Sequence, residues 1–154
     1  MKTSLFALAL TFSLFVFAHP KVEVQKQDLN NVITQYITLK DAFVASDAQA
    51  AQTAAKALKT SLMAAKLDAE ILESNNKIAA SNDLKAQRAA FKELTSQLIP
   101  VIKNADKSQT LYVQFCPMAF DNAGGNWLSL SEEIRNPYYG DMMLKCGKVQ
   151  EELK

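Results

Sequence analysis

Residues 28–44 read DLNNVITQYITLKDAFV, and this stretch decides the fold class. Its apolar side chains recur three and four positions apart, so they fall on one face of a helix. The predicted buried face consists of Leu29, Val32, Ile33, Tyr36, the stem of Lys40, Phe43 and Val44. Asp28 belongs to a residue type that caps helix starts, and the helix is therefore predicted to begin there. Such an amphipathic helix needs partners that cover its apolar face.

A second stretch with the same period follows at once. Residues 46–49 read SDAQ, which matches a capping box: the Ser46 hydroxyl can accept from a backbone N–H, and Gln49 can reach back. A second helix is predicted to start there, and its small Ala side chains let neighbouring helices approach closely. Its stripe consists of Ala51, Ala54, Leu58, Leu62 and Ala65.

A third long stripe follows the start signal SND at residues 81–83. Its members are Leu84, Arg88, Phe91, Leu94, Leu98 and Ile102. Pro100 lies inside this pattern, so a kink or an early end is predicted near Ile99. Between the second and third stripes, residues 68–80 are interrupted by the polar run at 74–76 and predict a short helix or a broken continuation.

The composition changes after residue 104. All four Gly and the only Trp lie beyond residue 110, and residues 110–115 alternate in hydrophobicity, which predicts a strand. Residues 121–126 predict a Gly-containing loop, residues 129–134 one helical turn, and residues 146–150 a second strand paired with the first. We therefore predict a mainly α protein, an antiparallel bundle of three or four helices with a small C-terminal β-hairpin cap at residues 110–150.

Composition limits the function. The chain has 154 residues, 17 Lys plus Arg and 16 Asp plus Glu, which suits one domain with no basic excess for nucleic acid. One His and two Cys are too few for most zinc sites. No nucleophile–base pair, nucleophile elbow or phosphate-binding loop occurs, so we do not expect an enzyme. An enzyme that uses the carboxylates of Glu133 and Asp141 is the weakest alternative.

The N-terminus predicts export. Residues 1–18 read MKTSLFALALTFSLFVFA, a short basic start, an apolar run and a small-residue cleavage site. The run is shorter than the roughly 20 residues that span a bilayer, so a cleaved signal peptide is favoured over an anchor. Cleavage would leave His19 first, a flexible lead-in at 19–27 and a single domain at 28–154. The expected location is periplasmic, with no membrane attachment after cleavage.

Export also makes the two cysteines informative, and three states remain open for Cys116 and Cys146. A disulfide would close a loop of about 30 residues and stabilise the fold by roughly 3.5 kcal/mol. Two thiolates could instead bind a soft ion such as Cu(I). The thiols could also be free and separately buried.

Thioethers near the cysteines favour the soft-metal state. Met118 follows the first Cys by two residues, and Met142, Met143 and Cys146 share a face if that stretch is helical. Met118 and Met143 are candidate secondary donors, whereas Met142 is expected at the surface or in the core. An N-terminal His19 could chelate a metal through its amine and imidazole, or be an ordinary tail residue.

Residues 112–147 read YVQFCPMAFDNAGGNWLSLSEEIRNPYYGDMMLKCG. This stretch resembles the end of an uncharacterised exported bacterial domain, which also occurs appended to periplasmic adaptor (membrane-fusion) proteins of copper and silver efflux pumps. The resembling residues are Tyr112, Val113, Gln114, Cys116-Pro-Met118, Ala119, Trp127, Leu128, Ser129, Ile134-Arg-Asn-Pro-Tyr138, Gly140, Met143, Leu144 and Cys146-Gly147. The stretches LKDAFVASDAQAAQTAAKAL and SNDLKAQRAAFKELTSQLIPVI agree too, so the resemblance covers roughly residues 28–149. It implies a periplasmic location and a link to soft-metal handling, but no reaction.

Together these observations predict a periplasmic soft heavy-metal binding protein, an accessory to metal handling or efflux that holds Cu(I). Its expected ligands are Cys116 and Cys146, with Met118 and Met143 as secondary donors. The alternative is a non-catalytic interaction module that docks on an efflux adaptor or another envelope protein. In that case the two Cys form a structural disulfide.

Overall fold

The computed structural model describes residues 25–154. The predicted signal peptide at 1–18, His19 and most of the predicted lead-in lie outside the described residues. Four long helices come first: α1 (Lys26–Val44), α2 (Ala48–Ala64), α3 (Ala69–Ala80) and α4 (Leu84–Lys103). They are followed by β1 (Leu111–Cys116), the short turn α5 (Ala119–Asn122), β2 (Gly125–Ser129), a 3-10 turn (Gly140–Met143) and β3 (Lys148–Leu153).

The described chain is mainly helical, with four long helices and a small three-stranded antiparallel sheet, and this confirms the predicted class. Each long helix packs against the next one along the chain. All residues of the first two predicted stripes are buried, and so are the last four of the third. One core joins helices and sheet, and its largest fully buried side chains include Trp127, Tyr36, Phe43 and Phe91.

Two predicted helix starts were wrong. The first helix begins at Lys26 rather than at Asp28, so the predicted lead-in loses its last two residues to α1. Asp47, not Ser46, caps α2, and its side chain accepts from the Ala50 N–H at 2.8 Å. Ser46 has a positive φ of 54°, so its backbone does not have the extended conformation typical of a capping residue.

The short helix predicted at residues 68–80 is confirmed, and the early end predicted near Ile99 is wrong. Residues 69–80 form the separate helix α3, in which Ser74 and Asn75 are buried and bonded to Gln97 and to the Ala55 carbonyl. Helix α4 runs through Pro100 to Lys103. Pro100 is exposed in the last turn, and its missing N–H removes only one backbone hydrogen bond, the one to the carbonyl four residues earlier.

The predicted hairpin is part of a larger sheet. Strand β3 pairs antiparallel with β1 as predicted, although it begins at Lys148 rather than at residue 146. A third strand, β2, pairs with the other edge of β1 and gives the order β2-β1-β3. It occupies residues that were predicted as loop and helical turn, and residues 129–134 form no helix. The alternation in β2 is hidden because the consecutive residues Trp127, Leu128 and Ser129 are all buried.

Tyr36 connects three elements of the core. Its hydroxyl is hydrogen-bonded to Thr95 Oγ1 on α4 at 2.7 Å and accepts from the Leu128 N–H of β2 at 3.2 Å. Complete burial raises its pKa well above that of a free tyrosine, so the hydroxyl stays neutral. The two hydrogen bonds of this hydroxyl satisfy the buried Leu128 N–H and connect α1 and α4 to the sheet.

We expect Tyr36→Phe to destabilise the protein by about 1–3 kcal/mol, because it leaves the Leu128 N–H and the Thr95 hydroxyl without their buried partner. Urea unfolding of the reduced protein measures the change. Tyr139→Phe is the matched control, since its hydroxyl donates to the Met118 carbonyl in a more exposed setting. Equal stability of the two variants would contradict the bridging role of Tyr36.

Candidate functional site

The two cysteines meet at one end of the sheet. Cys116 is the last residue of β1, and Cys146 lies two residues before β3, which runs antiparallel to β1. Their Sγ atoms are 2.8 Å apart, and both residues are free thiols. The S···S distance is longer than a disulfide bond of about 2.05 Å, but the two sulfur atoms are in direct contact. Residues 30 positions apart in the chain therefore form one dithiol site.

The two thiols differ in exposure. Cys116 is fully buried, with an exposed fraction of 0 %, whereas Cys146 is only partly covered. The hydrogen bond with the Cys116 thiol, together with partial burial, raises the pKa of the Cys146 thiol. The neutral form of Cys146 is thus favoured near neutral pH, and reactions that need its thiolate become easier as the pH rises.

Asn136 holds the backbone of Cys146. This side chain is fully buried, its Nδ2 donates to the Cys146 carbonyl at 2.9 Å, and its Oδ1 accepts from the Tyr138 N–H at 2.8 Å. The Asn136 N–H also donates to the Leu144 carbonyl, and the Cys146 N–H to the Met143 carbonyl, each at 2.9 Å. The Asn-Pro-Tyr turn is therefore the support of the second cysteine.

The same turn is bound to the helices through Arg88 of α4. Its Nε donates to the Pro137 carbonyl at 2.8 Å, and its Nη2 donates to the Phe43 carbonyl and to Ser46 Oγ at 3.0 and 2.9 Å. Partial burial of this guanidinium lowers its pKa, although it remains a cation. The junction of α1 and α2 is thereby joined to the turn that carries Cys146.

Buried groups also hold the β1 side of the site. Gln114 is fully buried, its Nε2 donates to the Ser131 carbonyl at 2.8 Å, and its Oε1 accepts from Trp127 Nε1 at 2.6 Å. The Trp127 ring packs edge-on against Tyr138, with ring centroids 6.0 Å apart. Both aromatic residues are buried in the core that supports the sheet.

The backbone beyond Cys116 has a left-handed turn that the sequence did not predict. Phe120, Asp121 and Asn122 have φ values of 53°, 56° and 70°, a conformation that costs roughly 1–2 kcal/mol for each such residue. Contacts of the Phe120 ring offset part of this cost: it packs edge-on against Tyr138 at 5.1 Å, and Lys92 Nζ lies 4.8 Å from its centroid.

The methionines near the thiols differ in exposure. Met118 is 48 % exposed, and its carbonyl accepts from the Tyr139 hydroxyl, which links it to the turn before Cys146. Met143 is partly buried in the 3-10 turn. Met142 is 80 % exposed, so of the two expected environments it occupies the surface.

The donor set available to an ion is narrow. Across residues 25–154, no group of three or more His, Cys, Asp or Glu side chains is arranged to hold a metal ion. An ion at the dithiol would therefore depend on the two sulfurs and on softer donors such as thioethers. Glu133 forms an ion pair with Lys145 at 2.9 Å, which lowers the Glu133 pKa and opposes a role as general acid.

Sequence reasoning named both cysteines but missed the groups that hold them. Asn136, Arg88 and Gln114 act through buried tertiary contacts. Asn136 stood in a visible Asn-Pro turn signal, and Arg88 interrupted an otherwise apolar stripe. Gln114 lies in a predicted strand, but the sequence did not indicate that its side chain is completely buried.

The fold and site define a mainly helical domain with a dithiol at the end of a small sheet. The chain belongs to the family described as "Protein of unknown function (DUF3347)", whose model matches residues 32–110. The match covers most of α1 and all of α2–α4, and the dithiol lies beyond it. Neither the curated proteins nor the solved structures contain a match to this chain. No helix within the described part of the chain is long and apolar enough to cross a membrane.

Gly147 allows the close approach of the two cysteine segments. Its φ is +146°, and a Cβ there would lie 2.8 Å from Trp127 Cη2 and 3.0 Å from the Phe115 carbonyl. We expect Gly147→Ala to destabilise the reduced protein by about 1–3 kcal/mol, measured by urea unfolding. Lys148→Ala is the control at the exposed neighbouring position. If both variants unfold alike, Gly147 has no special role in this packing.

Proposed function

We propose that this protein is a periplasmic binding protein for soft heavy metal, and for Cu(I) in particular, and that it acts as an accessory to metal handling or efflux. The observation that carries the proposal is the Cys116–Cys146 pair, with sulfurs 2.8 Å apart, one of them partly exposed. Thiolate and thioether sulfurs select Cu(I) over harder divalent ions.

Binding would require a small opening of the pair. Metal–thiolate bonds of about 2.3 Å, as known for zinc, imply sulfurs roughly 4 Å apart when one ion lies between them. Cys116 is fixed in the β1–β2 ladder opposite Gly125, whereas Cys146 lies outside the strands, after the 3-10 turn. Movement of Cys146 is therefore the simplest way to admit an ion.

Met118 and Met143 are the proposed secondary donors. Met118 is half-exposed two residues after Cys116, and the Met143 carbonyl accepts from the Cys146 N–H. A neutral thioether is a weaker ligand than a thiolate, so these side chains would contribute to capture and release while the two thiolates retain the ion.

The proposed location rests on the N-terminal sequence, and the proposed partner rests on a resemblance in the C-terminal part of the chain. The apolar N-terminal stretch has the features of a signal peptide, and the resemblance of residues 112–147 points to copper and silver efflux. An efflux adaptor or another envelope protein is therefore the proposed partner. Metal binding of this kind involves no enzymatic reaction.

Loading the reduced protein with Cu(I) under anaerobic conditions tests the proposal. Native mass spectrometry is expected to find one bound Cu(I), and either Cys116→Ser or Cys146→Ser is expected to weaken it by more than about tenfold in competition with a Cu(I) chelator. Met118→Leu and Met143→Leu should have smaller effects.

Met63→Leu is the matched control, since Met63 is 58 % exposed on α2. Absence of an adduct would contradict metal binding, and so would an adduct that survives both Cys substitutions unchanged.

A second candidate is a non-catalytic interaction module in which Cys116 and Cys146 form a structural disulfide. The contact distance favours it, because the sulfurs need to approach by less than 1 Å to reach bonding distance. The bond would connect the end of β1 to the segment before β3, so the sheet would resist unfolding.

This candidate predicts an intact Cys116–Cys146 bond in protein purified from the periplasm, and a lower melting temperature after reduction. The disulfide is expected to contribute about 3.5 kcal/mol to the free energy of unfolding. Calorimetry of the oxidised and reduced protein measures it, with Cys116→Ser as the variant that should no longer respond to reductant. An unchanged melting temperature on reduction would contradict a structural role.

A further inference from the structure

We propose that Cys116 and Cys146 form an asymmetric thiol–disulfide exchange site, in which Cys146 reacts with external thiols and disulfides and Cys116 is the buried resolving sulfur. The substrates are molecules with an accessible thiol, dithiol or disulfide group. This inference does not depend on metal binding, because it concerns only the two sulfurs and their surroundings.

Unequal exposure sets the order of reaction. Exchange proceeds by attack of a thiolate along the axis of the bond that breaks, so the attacked or attacking protein sulfur has to be reachable from solvent. Cys116 has no exposed surface and sits in a strand that is paired on both edges. Cys146 is partly exposed and lies in the segment between the 3-10 turn and β3.

Because the two sulfurs are in contact, the attack of Cys116 on a mixed disulfide at Cys146 is an intramolecular step. Two hydrogen bonds of 2.9 Å hold the backbone of Cys146: its carbonyl accepts from Asn136 Nδ2, and its N–H donates to the Met143 carbonyl. In this position Cys146 Sγ lies 2.8 Å from Cys116 Sγ. A group attached to Cys146 would stay beside the Cys116 thiol, where attack no longer depends on a diffusional encounter. Cys116 is thus suited to resolve a mixed disulfide and poorly suited to form one.

The oxidation of the pair by a small disulfide balances in two steps. The Cys146 thiol loses its proton to water, and its thiolate attacks one sulfur of the small disulfide. That S–S bond breaks, a mixed disulfide forms on Cys146, and one small thiolate leaves. Cys116 then loses its proton and attacks Cys146 Sγ. The second small thiolate leaves, so the small disulfide gains the two electrons that the pair loses.

The reverse direction restores the dithiol. A thiolate of an external dithiol attacks Cys146 Sγ of the oxidised pair, the Cys116–Cys146 bond breaks, and Cys116 takes up a proton. The second thiol of the donor then releases Cys146 and closes the donor's own disulfide. In an oxidising compartment, a dithiol donor of this class would be required to keep the pair reduced.

The monothiol variants test the asymmetry, with oxidised glutathione as the probe. In Cys116→Ser, Cys146 is expected to gain one glutathione, and in Cys146→Ser, Cys116 is expected to react at least about tenfold more slowly because it is buried. Mass spectrometry follows both reactions, and both variants should react at similar rates in denaturant. Equal rates in the folded state, or faster reaction of Cys116, would overturn the proposal.

The wild-type protein supplies a second measurement that does not depend on the variants folding. Limiting oxidised glutathione should yield the Cys116–Cys146 disulfide, and rapid alkylation should trap glutathione on the Cys146 peptide only. The rate should rise with pH, because the thiolate is the attacking species in thiol–disulfide exchange. A stable mixed disulfide between glutathione and Cys146 that never resolves would contradict the role of Cys116. Failure of Cu(I) binding would leave these outcomes unchanged.

Discussion

Backbone hydrogen bonds between β1 and β3 hold the cap together, and the sulfur pair depends on them. The two strands are antiparallel, so the last residue of β1 lies beside the segment that enters β3. This geometry brings Cys116 and Cys146 into contact across 30 positions of sequence. The pairing therefore positions both sulfurs for a disulfide or for a shared ion.

The helical part of the fold could be predicted because its signals are local. Apolar side chains at helical spacing identified α1, α2 and α4, since one buried face needs only the period of the helix. Strand β2 was missed because its consecutive residues Trp127–Ser129 are all buried, which removes the alternation of a half-exposed strand. The early end predicted near Ile99 was wrong, because Pro100 lies in the last turn and removes only one backbone hydrogen bond from α4.

The candidate site could be predicted only in part for a related reason. Rare residue types marked Cys116 and Cys146, and strand alternation indicated that their segments pair. The residues that hold them give no comparable signal, because their roles consist of tertiary hydrogen bonds. Arg88 donates to three acceptors that belong to α1, to the loop between α1 and α2 and to the Asn-Pro-Tyr turn, a set that no spacing rule contains.

Strand register adds a further constraint on the sulfurs. The β1–β3 pairing has an irregularity: Val113 lies opposite Glu151, but Gln114 lies opposite Val149, so Gln150 is the extra residue of a bulge. Without the bulge, the β3 partners of Gln114 and Phe115 would shift by one position. The β3 side chains in this part of the ladder would then point to the opposite face of the sheet. Gln150 is itself held, since its Oε1 accepts from Asn126 Nδ2 on β2 at 2.7 Å. The bulge therefore sets the pairing of Val149 and Lys148 with the end of β1, two residues from Cys146.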